Sequence, residues 1–212
     1  MKEAYGLSIP ERLEEACTPA RCGLIIYDMQ VGIVSQVDEG QDILARCGQL
    51  LLAAREKGFR VFFTRHLFLP NRLAGVGQLH RAMIWQKQTD PAKTRPLMTQ
   101  GSEAWQIVPE LVPQADEIVI DKITMSAFES TFLNIAMRDA RLEAFMIAGI
   151  ALEIGIEPTV RHGLDLNFLP IVVADACGAK TIELKQRSLA TLTDTGEVKI
   201  FHSAEVIAAM RR

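Results

Sequence analysis

Ala148-Gly-Ile-Ala-Leu-Glu-Ile-Gly155-Ile-Glu-Pro-Thr159 is a junction between two kinds of pattern. It closes an apolar run, Ala144-Phe-Met-Ile-Ala148, and opens a helix-like segment from Glu153 to Asn167, with Pro158 near enough to its start to be tolerated. A strand feeding directly into a helix is the unit of an open α/β sheet, and such sheets bind ligands outside the carboxyl ends of their strands. Two charged residues share that address: Asp28 after Leu24-Ile-Ile-Tyr27, and Lys122 after Ile118-Val-Ile-Asp121. Together with Gly155 they define one candidate site.

The same alternation runs along most of the chain. Gly23-Leu-Ile-Ile-Tyr27 is continuous and apolar, as expected of a strand buried on both faces. From Asp42 to Lys57, residues Ile43, Leu44, Cys47, Leu50 and Leu51 fall on one helical face, and Gly58 stops the helix. Arg60–Thr64 reads as the next strand. From Arg65 to Pro109 there is little clear periodicity, and four prolines and two tryptophans suggest a long excursion over the strand ends. So long a segment is more often functional than idle. Beyond it come strand Glu117–Asp121, helix Thr131–Arg141, strand Ala144–Ala148, helix Glu153–Asn167, strand Leu169–Ala174, helix Glu183–Leu192, strand Val198–Phe201 and a closing helix Ser203–Met210 with Ser203 as its cap. The expectation is one domain, residues 1–212, built on an open, mostly parallel sheet of about six strands with helices on both faces.

Composition narrows the function classes. Hydrophobic residues make up 49% and charged residues 23%, the mix of an ordinary globular protein. A formal net charge of -3 gives no reason to expect nucleic acid or an anionic membrane as partner. No apolar run approaches the ~20 residues of a spanning helix, and the start lacks a signal-peptide pattern, so a cytoplasmic chain with reduced thiols is expected. The histidines (His66, His80, His162, His202) and cysteines (Cys17, Cys22, Cys47, Cys177) lack metal-site spacing, and no cofactor is expected. Neither a dinucleotide fingerprint nor a Gly-x-Ser-x-Gly elbow occurs.

Four pieces, Tyr27-Asp28-Met29-Gln30, Lys122-Ile-Thr-Met-Ser126-Ala-Phe128, Gly149-Ile-Ala151 through Thr159, and Val173-Ala-Asp175-Ala, resemble in order and spacing the isochorismatase-like hydrolases, or cysteine hydrolase superfamily. The resemblance covers roughly Cys22 to Thr181. Most members carry a nucleophilic cysteine where this chain has Gly155, and the chain is similar in this respect to the branch that cleaves vinyl ethers. The resemblance implies Asp28 as the proton carrier and Lys122 as its partner. It also implies a cis peptide between Ile150 and Ala151, with the N–H groups of Ala151 and Gly155 facing one substrate oxygen. Metal-binding members use paired histidines after the second strand, where this chain offers His66 alone.

A small carboxylated or carbonyl-bearing metabolite is the expected substrate, cleaved as an enol ether by Asp28 without a covalent nucleophile. The alternatives are amide hydrolysis by water that Asp28 activates, and a binding protein that lost its thiol. Gln30, His66, Phe68, Trp85 and Ile150 are the expected pocket residues, with Leu69 and Arg65 as further candidates and Cys177 as a buried spectator. A homo-oligomer, dimer or larger, is expected.

Overall fold

The computed structural model describes residues 1–212. A short hairpin, β1 (Lys2–Ala4) with β2 (Leu7–Ile9), and helix α1 (Leu13–Ala16) precede the main sheet. Its first strand, β3 (Cys22–Tyr27), is followed by α2 (Val31–Val34), α3 (Gly40–Glu56) and β4 (Arg60–His66). The excursion then carries α4 (Val76–Trp85) and three single 3₁₀ turns before β5 (Ile118–Lys122). Helix α5 (Leu133–Asp139), β6 (Ala144–Ile150), a π turn (Leu152–Ile156), α6 (Glu157–Asp165), β7 (Leu169–Gly178), α7 (Ile182–Asp194), β8 (Lys199–Phe201) and α8 (Ser203–Met210) complete the chain.

Six strands form one sheet in the order β5-β4-β3-β6-β7-β8, and every neighbouring pair is parallel. The chain builds outward from β3 to β5, then returns to the other side of β3 to lay down β6. The order therefore reverses between β3 and β6, and it is at such a switch point that a crevice opens outside the carboxyl ends. Both faces of the sheet are covered, so its strands alternate between two cores rather than between core and water. Leu24, Ile26, Met146 and Ala148 join the larger cluster under α3 and α8, whereas Ile25, Tyr27, Phe145 and Ile147 join the smaller one on the opposite face. Helix α3 buries Ile43, Leu44, Cys47, Leu50 and Leu51, the face that the sequence marks out.

Several boundaries differ from the sequence reading. Strand β7 runs to Gly178 rather than Ala174, because its register against β6 shifts between Ile147↔Val172 and Gly149↔Cys177. Cys177 thus sits within a strand, not after one. Glu153–Asn167 is not one helix: a π turn precedes α6. Ser203 is the first residue of α8 rather than its cap; its hydroxyl is drawn to Asp175 (2.7 Å), and Glu205 takes the N–H of His202 (2.9 Å). The excursion contains a ten-residue helix, α4, that periodicity did not reveal, because only Ala82 of it is buried.

Gly149 is required where β6 runs beside Tyr27, the last residue of β3. Its φ is +134°, and a Cβ there would collide with the Tyr27 carbonyl. Gly58 has φ +72°, but a Cβ would meet nothing within 4 Å. Gly149→Ala is therefore expected to cost about 2–5 kcal/mol from strain and overpacking, and Gly58→Ala only about 1–2 kcal/mol. Urea denaturation of both variants measures the difference; equal losses would contradict the close approach.

Candidate active site

Asp28 is the first residue beyond β3, and its backbone sits in the left-handed region at φ +48°. For a residue other than glycine this conformation persists only where the surroundings enforce it. Thr64 on β4 does so: its hydroxyl accepts from the Asp28 N–H (3.1 Å) and donates to Asp28 Oδ1 (2.5 Å). Lys122, the last residue of β5, reaches across the end of β4 and donates from Nζ to Asp28 Oδ2 at 2.6 Å. The lysine side chain has no solvent exposure.

Burial dominates the electrostatics of this pair. It pushes the Asp28 carboxyl above its ordinary value, with the Lys122 charge and the two hydrogen bonds holding it back. It likewise pushes the Lys122 ammonium down, against the pull of Asp28. His66, beside Lys122 in register, falls to about 3, first through burial and then through the charges of Lys122 and Arg81. It is neutral at ordinary pH.

The cavity over these groups has a volume of about 460 Å³. Asp28 and Tyr27 form its floor, and Ile150, Ala151 and Gly155 bring in β6 and the π turn. His66 and Trp85 lie along another side. Of the expected pocket residues, Gln30 and Phe68 do not line it. Gln30 is fully buried, and its amide accepts from the His66 N–H (2.6 Å) while donating to the carbonyls of His66 (3.0 Å) and Trp105 (2.9 Å). Phe68 packs edge-on behind His66 and Trp85 and belongs to a small core with Met98 and Trp105. Leu69 is also outside the lining, and Arg65 is turned away: it stacks on Trp105 (3.5 Å) and pairs with Asp121 (2.8 Å). Trp85 is 39% exposed and so is not part of the core.

The sequence reading missed Ile33 and Val37 after β3, Ile84 on α4, Met125, and the cations Lys87 and Lys180. Their signal lay in position, since each follows or flanks a segment that reaches the carboxyl edge. The motif residues Ser126 and Phe128 are absorbed structurally. The Ser126 hydroxyl meets His162 Nδ1 (3.0 Å), and Phe128 stacks on Phe168 at 5.6 Å.

The peptide between Ile150 and Ala151 is cis, as the resemblance implied. The two expected backbone donors differ. The Gly155 N–H is spent within the π turn on the Ala151 carbonyl (3.0 Å), so it does not face the pocket as a free donor; the Ala151 N–H enters no hydrogen bond of the chain. The larger surprise is beside Gly155. A Cβ at that position would lie 2.5 Å from Cζ and 2.6 Å from Cε1 of Tyr27, and closer still to its oxygen. The Tyr27 ring fills the space that a side chain on residue 155 needs.

All four cysteines are free and buried. Burial pushes the Cys177 thiol up to about 12, and Cys22 and Cys47 are raised as well. Iodoacetamide is therefore expected to add nothing to the folded chain and to modify all four thiols in denaturant, read by intact mass. Trp85→Ala is expected to raise KM for the substrate roughly tenfold, as about one aromatic contact is lost, with little change in Tm. A large fall in Tm at unchanged KM would place Trp85 outside the pocket wall.

Comparison with known proteins agrees with this architecture. Residues 22–203 match the isochorismatase domain model. A ureidoacrylate amidohydrolase RutB from Serratia proteamaculans is 29% identical over 188 residues, covering 80% of this chain and 75% of its own. A second, from Stutzerimonas stutzeri, is 27% identical over 209 residues, covering 87% and 84%. Among solved structures, a cysteine hydrolase from Pseudomonas syringae superposes with a TM-score of 0.81 at 21% identity, covering 92% of this chain and 95% of its own. The N-carbamoylsarcosine amidase of Thermoplasma acidophilum gives 0.67 at 19% identity, covering 86% and 96%. With the family match spanning most of its length, the chain belongs to the isochorismatase-like cysteine hydrolase superfamily, and it is a hydrolase.

Proposed function

We propose that this hydrolase works by general acid–base catalysis at Asp28 with no covalent nucleophile, and that it cleaves an enol ether bearing a carboxylate. The observation that carries the reading is a carboxyl in the pocket lining, paired with a lysine that has no solvent exposure, and no nucleophile beside it. Position 155 has no side chain and no room for one, and every thiol is buried with none lining the pocket. Burial drives Asp28 toward its protonated form, which suits a carboxyl that must give a proton. Asp28 protonates the enol carbon, leaving an oxocarbenium ion. Water adds to that ion, one of its protons restoring Asp28, and the hemiketal collapses to a carbonyl and an alcohol as the other proton passes to the leaving oxygen. Lys122 then stabilises the carboxylate formed in mid-reaction. Lys87 and Lys180, the cations of an otherwise mainly apolar lining, favour an anionic substrate.

A second reading is amide hydrolysis by water that Asp28 activates. The ureidoacrylate amidohydrolases among the relatives favour it. The two readings need opposite protonation states. An acid at Asp28 loses activity as pH rises through the carboxyl pKa; a base loses it as pH falls through the same value. Because that pKa is raised, the limb lies above the ordinary carboxylate range in either case.

Isochorismate and ureidoacrylate, followed by release of the oxo acid and of ammonia respectively, make the decisive pair of assays. The expected result is turnover of the enol ether with a descending limb. Asp28→Asn is expected to lose roughly 10²–10⁴-fold in kcat. Turnover of the amide alone with an ascending limb would replace the first reading by the second. Undiminished activity in Asp28→Asn would remove both.

A further inference from the structure

Tyr27 stands out because it is buried, polar and unused by the chemistry above. It is the last residue of β3, 1% exposed, and its phenol donates to the Met125 carbonyl. Burial, and secondarily the charge of Asp28, raises its pKa well above the ordinary tyrosine value. It therefore stays neutral and takes no part in proton transfer.

Two contacts give the ring a purpose. On one side it occupies the volume that a Cβ on residue 155 would require. On the other, Lys122 Nζ lies 4.3 Å from the ring centroid. An ammonium has three donors and, with its side chain shut off from bulk solvent, each needs an acceptor. The first of Lys122 goes to Asp28 Oδ2 (2.6 Å) and another to the Thr124 carbonyl (3.3 Å). The ring face is what remains for the third.

We propose that Tyr27 is a positioning residue: its ring holds Lys122 against Asp28 and plugs the chamber beside Gly155, so that residues 27 and 155 form one interdependent unit. The plug stands on packing alone. The positioning of Lys122 matters to turnover only under the acid–base reading above.

The groups that face Lys122 are Tyr27 from β3, Asp28 just beyond it and His66 from β4, and His66 and Tyr27 are both neutral at ordinary pH. Removing the ring leaves the contacts with Asp28 and the Thr124 carbonyl in place and withdraws a cation–π contact. The ammonium should then lose its proton about 0.4–1.5 pH units lower.

Two readouts test this without a substrate. The first is an NMR titration of Lys122 Nζ in the native chain, in Tyr27→Phe and in Tyr27→Leu. The expected result is a lower midpoint for the leucine variant and an unchanged one for phenylalanine, which keeps the ring. Tyr27→Met, which fills more of the same volume, replaces the leucine variant if that does not fold. The second is a thermal cycle of Gly155→Ala, Tyr27→Leu and the double variant. Alanine at 155 should lower Tm in the native background and lower it less, or not at all, once the ring is gone. Identical Lys122 midpoints across the variants, or Tm losses that add, would overturn the proposal. Absence of turnover on every substrate would remove the acid–base reading and leave both readouts intact.

Discussion

A lysine ammonium with no solvent exposure, 2.6 Å from an aspartyl carboxyl that is itself only 6% exposed, is the constraint to which the rest of the structure answers. Desolvating two such groups is expensive, and breaking a buried pair by deleting one partner typically costs about 3–5 kcal/mol. The arrangement holds only if every remaining donor and acceptor is satisfied. Thr64 serves Asp28, and Thr124 with the Tyr27 ring serves Lys122. A parallel sheet is well suited to this. It brings the ends of β3, β4 and β5 to one edge, and the strand between the two charged residues supplies the hydroxyl that holds Asp28.

The same edge anchors the excursion. Gln30 uses both atoms of its amide, as an added rung would, to tie the end of β3 to His66 at the end of β4 and to Trp105 in the crossing segment. The main chain continues the seam, with Val31 N–H to the Gln106 carbonyl (2.9 Å) and Val108 N–H to the Met29 carbonyl (3.0 Å). Arg65, Asp121 and Trp105 clamp it from outside. The floor of the pocket and the base of its cover are thus fixed together. Helix α4, with one buried residue, is the loosely held part.

Strand identities and the meeting of Asp28 with Lys122 were legible because they depend on local pattern and on the edge shared by parallel strands. Continuous apolar runs set the strands, and the residues at or just past their carboxyl ends meet at the shared edge. What was not legible depends on contacts between distant segments. Nothing in the vicinity of Gly155 announces that the ring of Tyr27 fills its side-chain space, and nothing near Gln30 or Phe68 says they support the pocket from behind rather than line it. Helix α4 escaped because it covers the molecule without entering its core. The π turn escaped because sequence alone does not distinguish the pairing of the Ala151 carbonyl with both Gly155 and Ile156 from an ordinary helical start.

The burial of every thiol has a consequence for the redox behaviour of the molecule. Peroxide oxidises thiolates that it can reach, and this chain presents none, since its cysteines are buried and those with shifted pKa values are all raised. The sulfur that borders the pocket is thioether, in Met98 and Met125. Oxidation there adds a polar sulfoxide to an apolar wall and takes away no nucleophile, and the lesion is one that sulfoxide reductases reverse. Oxidative stress would therefore alter how substrate fits this hydrolase before it altered the groups that move the proton.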